Sequence, residues 1–381
     1  MKFYIPQLDG LRFFAFLLVF FHHLRPADGY FENIPVLAEM FSFLHDFGWI
    51  GVDLFLVLSA FLITKLLLLE YATEKHISLP KFYIRRILRI WPLYFFMLLL
   101  IFIVLPSMGE YYVPGIHSIE YQNLTNKYLF PHLFFLGNFS AGYYGMPNVS
   151  IIAHLWTVGI EEQFYIFWPF LLLFLLKNKT RYTYFMLFLL LLLSMYMRYY
   201  FVSNSVHPMI WTNTVTRLDP LILGIFLAFS RDNDCISSRG SVVKVLFGLV
   251  CVAGITLSSS IHNQSIHVVW QYFILALGFY LIVDACVSDN EGVINTFLSN
   301  KIFVWLGKLT YGLYVYHLLG IKCADRVMTL FEFYDTFNVW LLHFSISLMI
   351  TIIMAIFSYY FFERFFLKFK GNFTSVASRP V

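Results

Sequence analysis

Charged residues are scarce in this chain. Only 13% of its 381 residues are Asp, Glu, Lys or Arg, against about 25% in a typical soluble protein. Hydrophobic residues make up 60% of the chain, aromatic residues 20%, and the mean hydropathy is +0.72. One aqueous core cannot hide this much apolar surface, so the lipid bilayer must be the solvent. The composition excludes a water-soluble fold and predicts a polytopic membrane protein.

Cysteine and clustered basic charge are also in short supply. The four cysteines have neither CxxC nor metal-ligand spacing, and they are Cys235, Cys251, Cys286 and Cys323. This pattern favours inert packing thiols over a zinc site or a disulfide framework. The net charge is only +4, and the basic residues are scattered among apolar runs, which argues against a nucleic-acid-binding surface. We therefore expect no metal and no nucleic acid as partners.

Ten apolar runs approach the ~20 residues that a spanning helix needs. The sequence predicts an all-α transmembrane bundle with about ten spans, near residues 10–27, 48–69, 87–105, 154–176, 182–202, 215–230, 243–259, 267–286, 302–321 and 338–362. No small-residue cleavage site follows the first run, so we expect a retained helix and not a signal peptide. The stretch 128–139 is too short to span and contains Pro131 and Gly137, which favours a re-entrant or interfacial segment.

The basic residues orient this predicted bundle. If both termini are cytoplasmic, the inner segments contain 20 of the 26 lysines and arginines, as the positive-inside rule favours. The outer segments then keep Arg25, Lys127, Arg198, Arg217, Lys322 and Arg326. We expect one integral domain over 1–362 in the inner (plasma) membrane and a short basic cytoplasmic tail over 363–381. The largest outer loop, 106–150, is a candidate binding surface.

Ionisable side chains inside apolar helices are costly in lipid, so each marks a candidate site. Arg12 and His23 are 11 residues apart, nearly three helical turns, which places them on one helix face about 16 Å apart along the axis. Histidine exchanges a proton near neutral pH, which suits a general base acting on a hydroxyl group. The alternative is a core histidine hydrogen-bonded across the bundle.

Two further motifs combine charge with long apolar runs. Asp53 is the only charge in GWIGVDLFLVLSAFLI, and a lone carboxylate there needs a cation or a proton. It indicates either an ion pair with an arginine of another helix or a residue that orients the catalytic histidine. Arg85, Arg86 and Arg89 lie within five residues. Their guanidinium groups suit bidentate phosphate binding, although topology anchoring also places arginines here.

The remaining candidates lie in the second half of the chain. His154 and Glu161 are seven residues apart, which would eclipse them on a continuous helix. Glu161 and its neighbour Glu162 fit either substrate chemistry or a structural network with an arginine. Later segments add polar groups at a helix entrance and on one broad helix face, namely Arg217, Asp219, Tyr311, Tyr314 and His317. For His317, packing and substrate binding both remain open.

These motifs, in this order, resemble acyltransferase family 3, whose members include membrane enzymes that O-acetylate bacterial surface polysaccharides. The resemblance covers about 360 residues. The family's Arg-x10-His, GVDxFFVLSGFLI, RxxRIxP and HLWSLSVEEQFY motifs are matched by Arg12 with His23, GVDLFLVLSAFLI, RRILRIWP and HLWTVGIEEQFY. Gly159 stands where the family often has serine, and the terminal FFER lacks the proline that commonly follows the glutamate.

The resemblance implies acyl transfer from cytoplasmic acyl-CoA, most often acetyl-CoA, to a hydroxyl of an envelope glycan or lipid-linked glycan. Together with the residue patterns it suggests catalytic roles for His23, Asp53, Glu161 and Glu162. The residues expected to bind the donor are Arg12, Arg85, Arg86 and Arg89. The residues expected to bind the acceptor are His154, Trp156, Tyr165, Arg217, Tyr311 and His317. Direct transfer is favoured over an acyl-enzyme, with Asp53 or Glu162 orienting His23.

Two features of the sequence bear on partners and rival functions. Many family members carry an appended extracytoplasmic domain; without one, the bundle is expected to act alone on its acceptor or with a separate partner. A transporter or flippase for a lipid-linked sugar would also need buried charges and an aqueous path. Paired Gly/Pro-interrupted helices in two matching halves are lacking, which disfavours that class.

Overall fold

The fold of this chain is helical. The computed structural model describes residues 3–24, 35–107, 125–147, 150–177, 180–204, 208–231, 241–258, 265–288, 292–330, 337–374 and 376. Within these residues there are helices and turns but no β-strand, which confirms the predicted all-α class. Features outside the described residues include Lys2, Arg25, loop residues 108–124, Lys179, Cys235, Arg239 and Arg379.

Eleven longer helices form the body of the described structure. They are α1 (Pro6–His23), α2 (Pro35–Phe47), α3 (Gly51–Glu74), α4 (Leu79–Leu99), α5 (Trp156–Leu176), α6 (Thr180–Asn204), α7 (Leu218–Ser230), α8 (Ser241–Leu257), α9 (Val268–Ser288), α10 (Thr310–Leu330) and α11 (Phe337–Ser358). Shorter helices connect them at Phe130–Leu133, Gly137–Tyr144, Ser150–Ala153, Met209–Thr212, Val293–Leu298, Lys301–Lys308 and Arg364–Lys370.

Six helical stretches of the described chain are long and apolar enough to cross a membrane. They are Val36–Glu74, Leu79–Ser107, Ile151–Leu176, Arg181–Asn204, Val268–Ser288 and Val339–Phe373. Each coincides with a predicted span. The other four predicted spans correspond to α1, α7, α8 and α10, which are too short or too polar to meet the same criterion. A multi-pass membrane protein is supported, whereas ten spans and two cytoplasmic termini stay predictions.

Several helix boundaries differ from the predicted ones because turns interrupt the apolar runs. Helix α4 begins at Leu79 and not near 87, since Pro80 suits a first turn, where its missing N–H costs nothing. The predicted helix 302–321 is two helices that meet at Leu309. Asn300 caps the first of them by accepting a hydrogen bond from the Ile302 N–H at 2.9 Å.

The stretch predicted as re-entrant or interfacial, 128–139, contains a sharp turn between two short helices. Phe135 adopts a left-handed conformation in this turn, with φ of 56°, which is rare for a bulky residue. Its carbonyl oxygen approaches α5 so closely that a Cβ atom at Gly159 would lie 2.8 Å away. The turn therefore explains why this chain has glycine at a position where serine is frequent in the family it resembles.

Helices α3 and α7 make the close contact that positions part of the candidate site. A Cβ atom at Gly224 of α7 would lie 2.4 Å from the Val57 carbonyl oxygen and 2.8 Å from Ala60 Cβ. Small residues allow such close packing between membrane helices. The contact brings Arg217, directly before α7, against Asp53 in α3.

Replacing Gly224 with leucine is expected to push α3 and α7 apart and to destabilise the protein. Overpacking a tight contact costs typically about 1–3 kcal/mol, and here backbone must move. The unfolding temperature in detergent measures the effect. Gly254→Leu in α8 is the matched control, because a Cβ atom there meets nothing within 4 Å. An equal decrease of the unfolding temperature in both variants would contradict the special role of Gly224.

The segment predicted as a cytoplasmic tail begins as a helix. Helix α11 continues through a π-helical turn, Tyr359–Glu363, into the helix Arg364–Lys370. The Phe373 carbonyl oxygen then accepts a hydrogen bond from Arg85 Nη1 at 2.6 Å. The start of the predicted tail is thus docked against α4.

Candidate active site

Three neighbouring cavities contain most of the residues predicted to be functional. The arginine cavity is lined by Phe3, Tyr4, Ile5, Leu8, Asp9, Arg12, Ser59, Leu62, Ile63, Leu66, Arg86, Arg89 and Tyr165. The central cavity has a wall that includes Ser59, Glu161, Tyr165, Thr310, Tyr311 and Tyr314. The histidine cavity has a wall that includes His22, His23, His154, Trp156, Trp211 and Arg217.

The three cavities adjoin in a line, since neighbouring cavities share lining residues. The arginine and central cavities share Arg12, Ser59, Arg86, Arg89 and Tyr165. The central and histidine cavities share Val52, Thr157 and Tyr314. At this second junction the Thr157 and Tyr314 hydroxyls are hydrogen-bonded at 2.6 Å. This hydrogen-bonded pair therefore lies at the boundary between the central cavity and the histidine cavity.

Positive charge dominates the arginine cavity. Its wall has three guanidinium groups and one carboxylate, Asp9, whose Oδ1 lies 3.6 Å from Arg12 Nη1. Arg86 stacks over the rings of Phe82 and Tyr165, with centroid distances of 5.8 and 5.7 Å, and its buried Nε has no hydrogen-bond partner. Like charges held together with unfilled donors are the chemistry of an anion site.

Arg85 lies outside this cavity. Its Nη2 donates to Glu70 Oε2 at 3.1 Å while its Nη1 donates to the Phe373 carbonyl oxygen. Glu70 also accepts a hydrogen bond from the Ser78 N–H at 2.9 Å. The geometry favours a role for Arg85 in joining α3, α4 and the C-terminal segment, and gives no support to its predicted role in donor binding.

The two adjacent glutamates have different surroundings. Glu161 faces the central cavity, where its carboxylate accepts hydrogen bonds from Ser59 Oγ at 3.3 Å and from the Tyr165 hydroxyl at 2.8 Å. Glu162 Oε2 instead accepts a hydrogen bond from Trp91 Nε1 at 3.0 Å, and its Oε1 has no partner. Glu162 is absent from the walls of the three cavities described above, so Glu161 is the better placed of the two.

His23 ends α1 and is oriented by backbone. Its Nδ1 lies 2.8 Å from the Val19 carbonyl oxygen, which can only accept, so this nitrogen carries the proton. In the neutral ring Nε2 then has a free lone pair, the form that a general base requires. Because α1 is continuous from Pro6 to His23, Arg12 and His23 lie on one helix about 16 Å apart along its axis, as the spacing predicts.

A second histidine supports His23. The His317 Nε2 lies 3.3 Å from His23 Nδ1, and the two ring centroids are 4.9 Å apart. His317 Nδ1 lies 2.5 Å from the Tyr314 carbonyl oxygen, so that nitrogen carries the proton and Nε2 is free to accept. His317 is fully buried and lies behind His23 and His154, outside the wall of the histidine cavity. This position favours support of His23 over acceptor contact.

His154 lies in the wall of the histidine cavity but not on α5. The helix breaks into a turn at His154 and Leu155, so the eclipsed arrangement of His154 and Glu161 expected for one helix is absent. His154 Nε2 lies 3.1 Å from the Val315 carbonyl oxygen. Its Nδ1 is buried without a partner, which leaves an acceptor at the edge of the cavity.

Asp53 pairs with an arginine, one of its two predicted roles. Asp53 Oδ2 accepts a hydrogen bond from Arg217 Nη2 at 2.8 Å. A second buried pair, Arg198 with Asp219, lies beside it. Arg217 and Arg198 stack on the Tyr272 ring, at 4.6 and 5.6 Å from its centroid. Sequence reasoning missed Arg198 in this network, although a lone arginine in LLLLLSMYMRYY is a signal of a buried ion pair.

Aromatic side chains complete the cavity walls. Trp156, a predicted acceptor-binding residue, lines the histidine cavity together with Trp49 and Trp211, which sequence reasoning missed. Tyr311 lines the central cavity, but its hydroxyl donates to the Ile90 carbonyl oxygen at 2.8 Å. The described residues contain no cluster of His, Cys, Asp and Glu suited to a metal ion.

Comparison with known proteins places these motifs in a family. The profile of the acyltransferase domain matches residues 5–360. A "putative O-acetyltransferase" of Staphylococcus aureus strain COL is 29% identical over 373 residues, which cover 96% of this chain and 58% of that protein. A peptidoglycan O-acetyltransferase of Listeria monocytogenes is 28% identical over 406 residues, with 99% and 60% covered. No solved structure matches the chain.

The chain spans about three fifths of the length of these curated relatives. The family profile, in contrast, extends over nearly the whole chain and includes each motif that lines the three cavities. The resemblance inferred from the motifs is confirmed, and the chain belongs to acyltransferase family 3.

Proposed function

We propose that this protein is a membrane O-acyltransferase that transfers an acyl group, in the simplest case acetyl, from an activated donor to a hydroxyl of a glycan. The observation that carries the proposal is the line of three adjoining cavities, with a cationic cluster at one end and the proposed general base at the other. Family membership and the names of the two relatives support the activity. Its place would be the plasma membrane, with the arginine cavity open to the cytoplasm.

Acetyl-CoA is the donor that we propose for the arginine cavity and the line that leads from it. A CoA thioester has phosphate groups at one end and its reactive carbon on a long thin arm. Arg12, Arg86 and Arg89 provide guanidinium donors for the phosphates, and the Arg86 Nε still lacks a partner. The ~16 Å between Arg12 and His23 along α1 matches the division between a bound head group and a thioester held near the base.

A glycan hydroxyl fits the histidine cavity. Its wall combines three tryptophans with three histidines, His22, His23 and His154, each of which has one unprotonated ring nitrogen when neutral. Ligand sites are typically apolar and aromatic with a few fixed polar groups, and indole rings offer flat faces for sugar rings. Because one relative is named a peptidoglycan O-acetyltransferase, cell-wall glycan is the first acceptor to test, with other envelope glycans and lipid-linked glycans as alternatives.

The proposed reaction is direct transfer with His23 as base. The acceptor oxygen bonds to the thioester carbon while its proton moves to His23 Nε2. The carbon–sulfur bond then breaks, sulfur leaves with the bonding electron pair, and the proton on His23 passes to the thiolate. His317 holds the His23 ring in place through Nδ1. No acyl-enzyme is needed, because the two substrates meet at the junction of the central and histidine cavities.

Product analysis tests this function and separates it from transport. Deleting the gene is expected to remove ester-linked acyl groups from an envelope glycan, measured by mass spectrometry after mild alkaline release. Purified protein in liposomes should transfer radiolabelled acetyl from acetyl-CoA to a solubilised glycan. A flippase for a lipid-linked sugar would also use connected cavities; loss of glycan export with unchanged esterification would favour that class and overturn the proposal.

A further inference from the structure

Arg217 is a buried cation whose hydrogen-bonding capacity is only partly used. Its side chain is 1% exposed and forms part of the wall of the histidine cavity. Nη2 donates to Asp53 and the guanidinium group also contacts the Tyr272 side chain, whereas Nε and Nη1 have no hydrogen-bond partner. Buried donors are nearly always satisfied, so the two unfilled guanidinium donors require a partner, and an oxygen of a ligand bound in the adjoining cavity is one that could provide it.

The neighbouring Arg198 provides an internal comparison. It lies on the same Tyr272 ring and is fully buried, but it donates to both carboxylate oxygens of Asp219, to Ser194 Oγ and to the carbonyl oxygens of Thr216 and Val269. Arg198 is absent from the wall of the histidine cavity. Of two similar arginines in one network, the cavity-lining one retains unfilled donors.

Resting on the proposed function, we propose that Arg217 donates hydrogen bonds to the carbonyl oxygen of the acyl donor as negative charge develops on it during transfer. When the acceptor oxygen bonds to the thioester carbon, the carbonyl π electrons move to the carbonyl oxygen. Arg217 Nε and Nη1 donate hydrogen bonds to this oxyanion. The electron pair re-forms the carbonyl π bond when the carbon–sulfur bond breaks and sulfur leaves as the thiolate. Asp53 acts by positioning Arg217 and not by orienting His23.

The charge balance favours a transient anion over a permanent one. Asp53 with Arg217 and Asp219 with Arg198 are two neutral pairs. A permanently anionic acceptor would add an uncompensated charge to a buried, low-dielectric network, which is costly. During transfer the proton taken by His23 supplies a positive charge at the same moment as the oxyanion forms. The pair of new charges therefore leaves the cavity neutral.

Steady-state kinetics of Arg217→Lys and Arg217→Gln test this assignment. Removing one oxyanion donor typically lowers kcat about 100-fold to 1000-fold, so a kcat loss of this order is expected with the KM of the acceptor changed less than about threefold. Arg198→Lys is the structural control and should retain most of the activity if folded. If the wild-type protein transfers no acyl group at all, that result contradicts the proposed function itself and not only the role of Arg217.

Three outcomes would overturn the assignment. A raised acceptor KM with unchanged kcat would make Arg217 an acceptor-binding residue. Wild-type protein that prefers a uronic acid acceptor more than about tenfold over its neutral counterpart would point to a permanent anion. Loss of the folded state in both Arg217 variants, judged by size-exclusion chromatography in detergent, would make the side chain part of the scaffold.

Discussion

Replacing His23 with alanine is expected to abolish acyl transfer. Loss of a positioned general base lowers rates typically about 100-fold to 10,000-fold. His23 lies in the cavity wall, its Nδ1 is fixed by the Val19 carbonyl oxygen, and its Nε2 can accept the proton. His22 in the same wall is held in a similar way by the His45 carbonyl oxygen. The rate of acetyl transfer in proteoliposomes measures the loss. Donor affinity should stay near the wild-type value, because the arginine cavity lies some 16 Å along α1.

A second membrane histidine provides the control for this change. His343 is 4% exposed and its Nε2 lies 3.0 Å from Asp325 Oδ1, and it is absent from the walls of the three cavities. His343→Gln should keep the transfer rate within a few-fold of wild type. Near-normal product formation by the His23→Ala protein would contradict the assignment of His23 as the general base, regardless of the transfer rate of the His343→Gln protein.

Local periodicity predicted the relation between Arg12 and His23 because nothing interrupts α1. The same arithmetic failed for His154 and Glu161, since the chain turns at His154 and Leu155 before α5 begins. A turn without proline or glycine gives little signal in a sequence. The apolar runs were sufficient to predict the helical class. They predicted neither the break at Leu309 nor helix α2, because Glu39 and Asp46 give α2 the composition of a loop.

Long-range pairing was the part that sequence could not supply. Three arginines in five residues predicted one anion site, yet Arg85 turns to Glu70 of α3 while Arg86 and Arg89 face the cavity. Which face of α4 meets which helix is decided by packing, which one sequence does not contain. The partner of Asp53 could not be predicted for the same reason. Arg217 lies 164 residues later in the chain, and the contact between α3 and α7 places it beside Asp53.

Arg86 and Arg89 line the arginine cavity and Arg85 does not, and this difference predicts a second large effect, on donor binding. Replacing Arg86 with glutamine should weaken binding of acetyl-CoA about 10-fold to 100-fold, because a hydrogen bond to a charged group contributes about 1.5–3 kcal/mol. Arg89→Gln should act in the same direction. Titration of the purified protein with acetyl-CoA measures the dissociation constant directly. The effect should shrink at high salt, since part of the attraction is Coulombic and is screened.

Arg85→Gln is the matched control, because it removes the same charge from the same helix outside the cavity. Its donors bind Glu70 and the Phe373 carbonyl oxygen, so its loss should lower the unfolding temperature and leave the dissociation constant for acetyl-CoA unchanged. Equal weakening by all three variants would mean that binding follows the overall charge of this end of the protein. Weakening by Arg86→Gln and Arg89→Gln alone would assign the donor phosphates to the arginine cavity. The thioester arm would then extend toward His23 past the residues that the central and histidine cavities share, which include Tyr314 and Thr157.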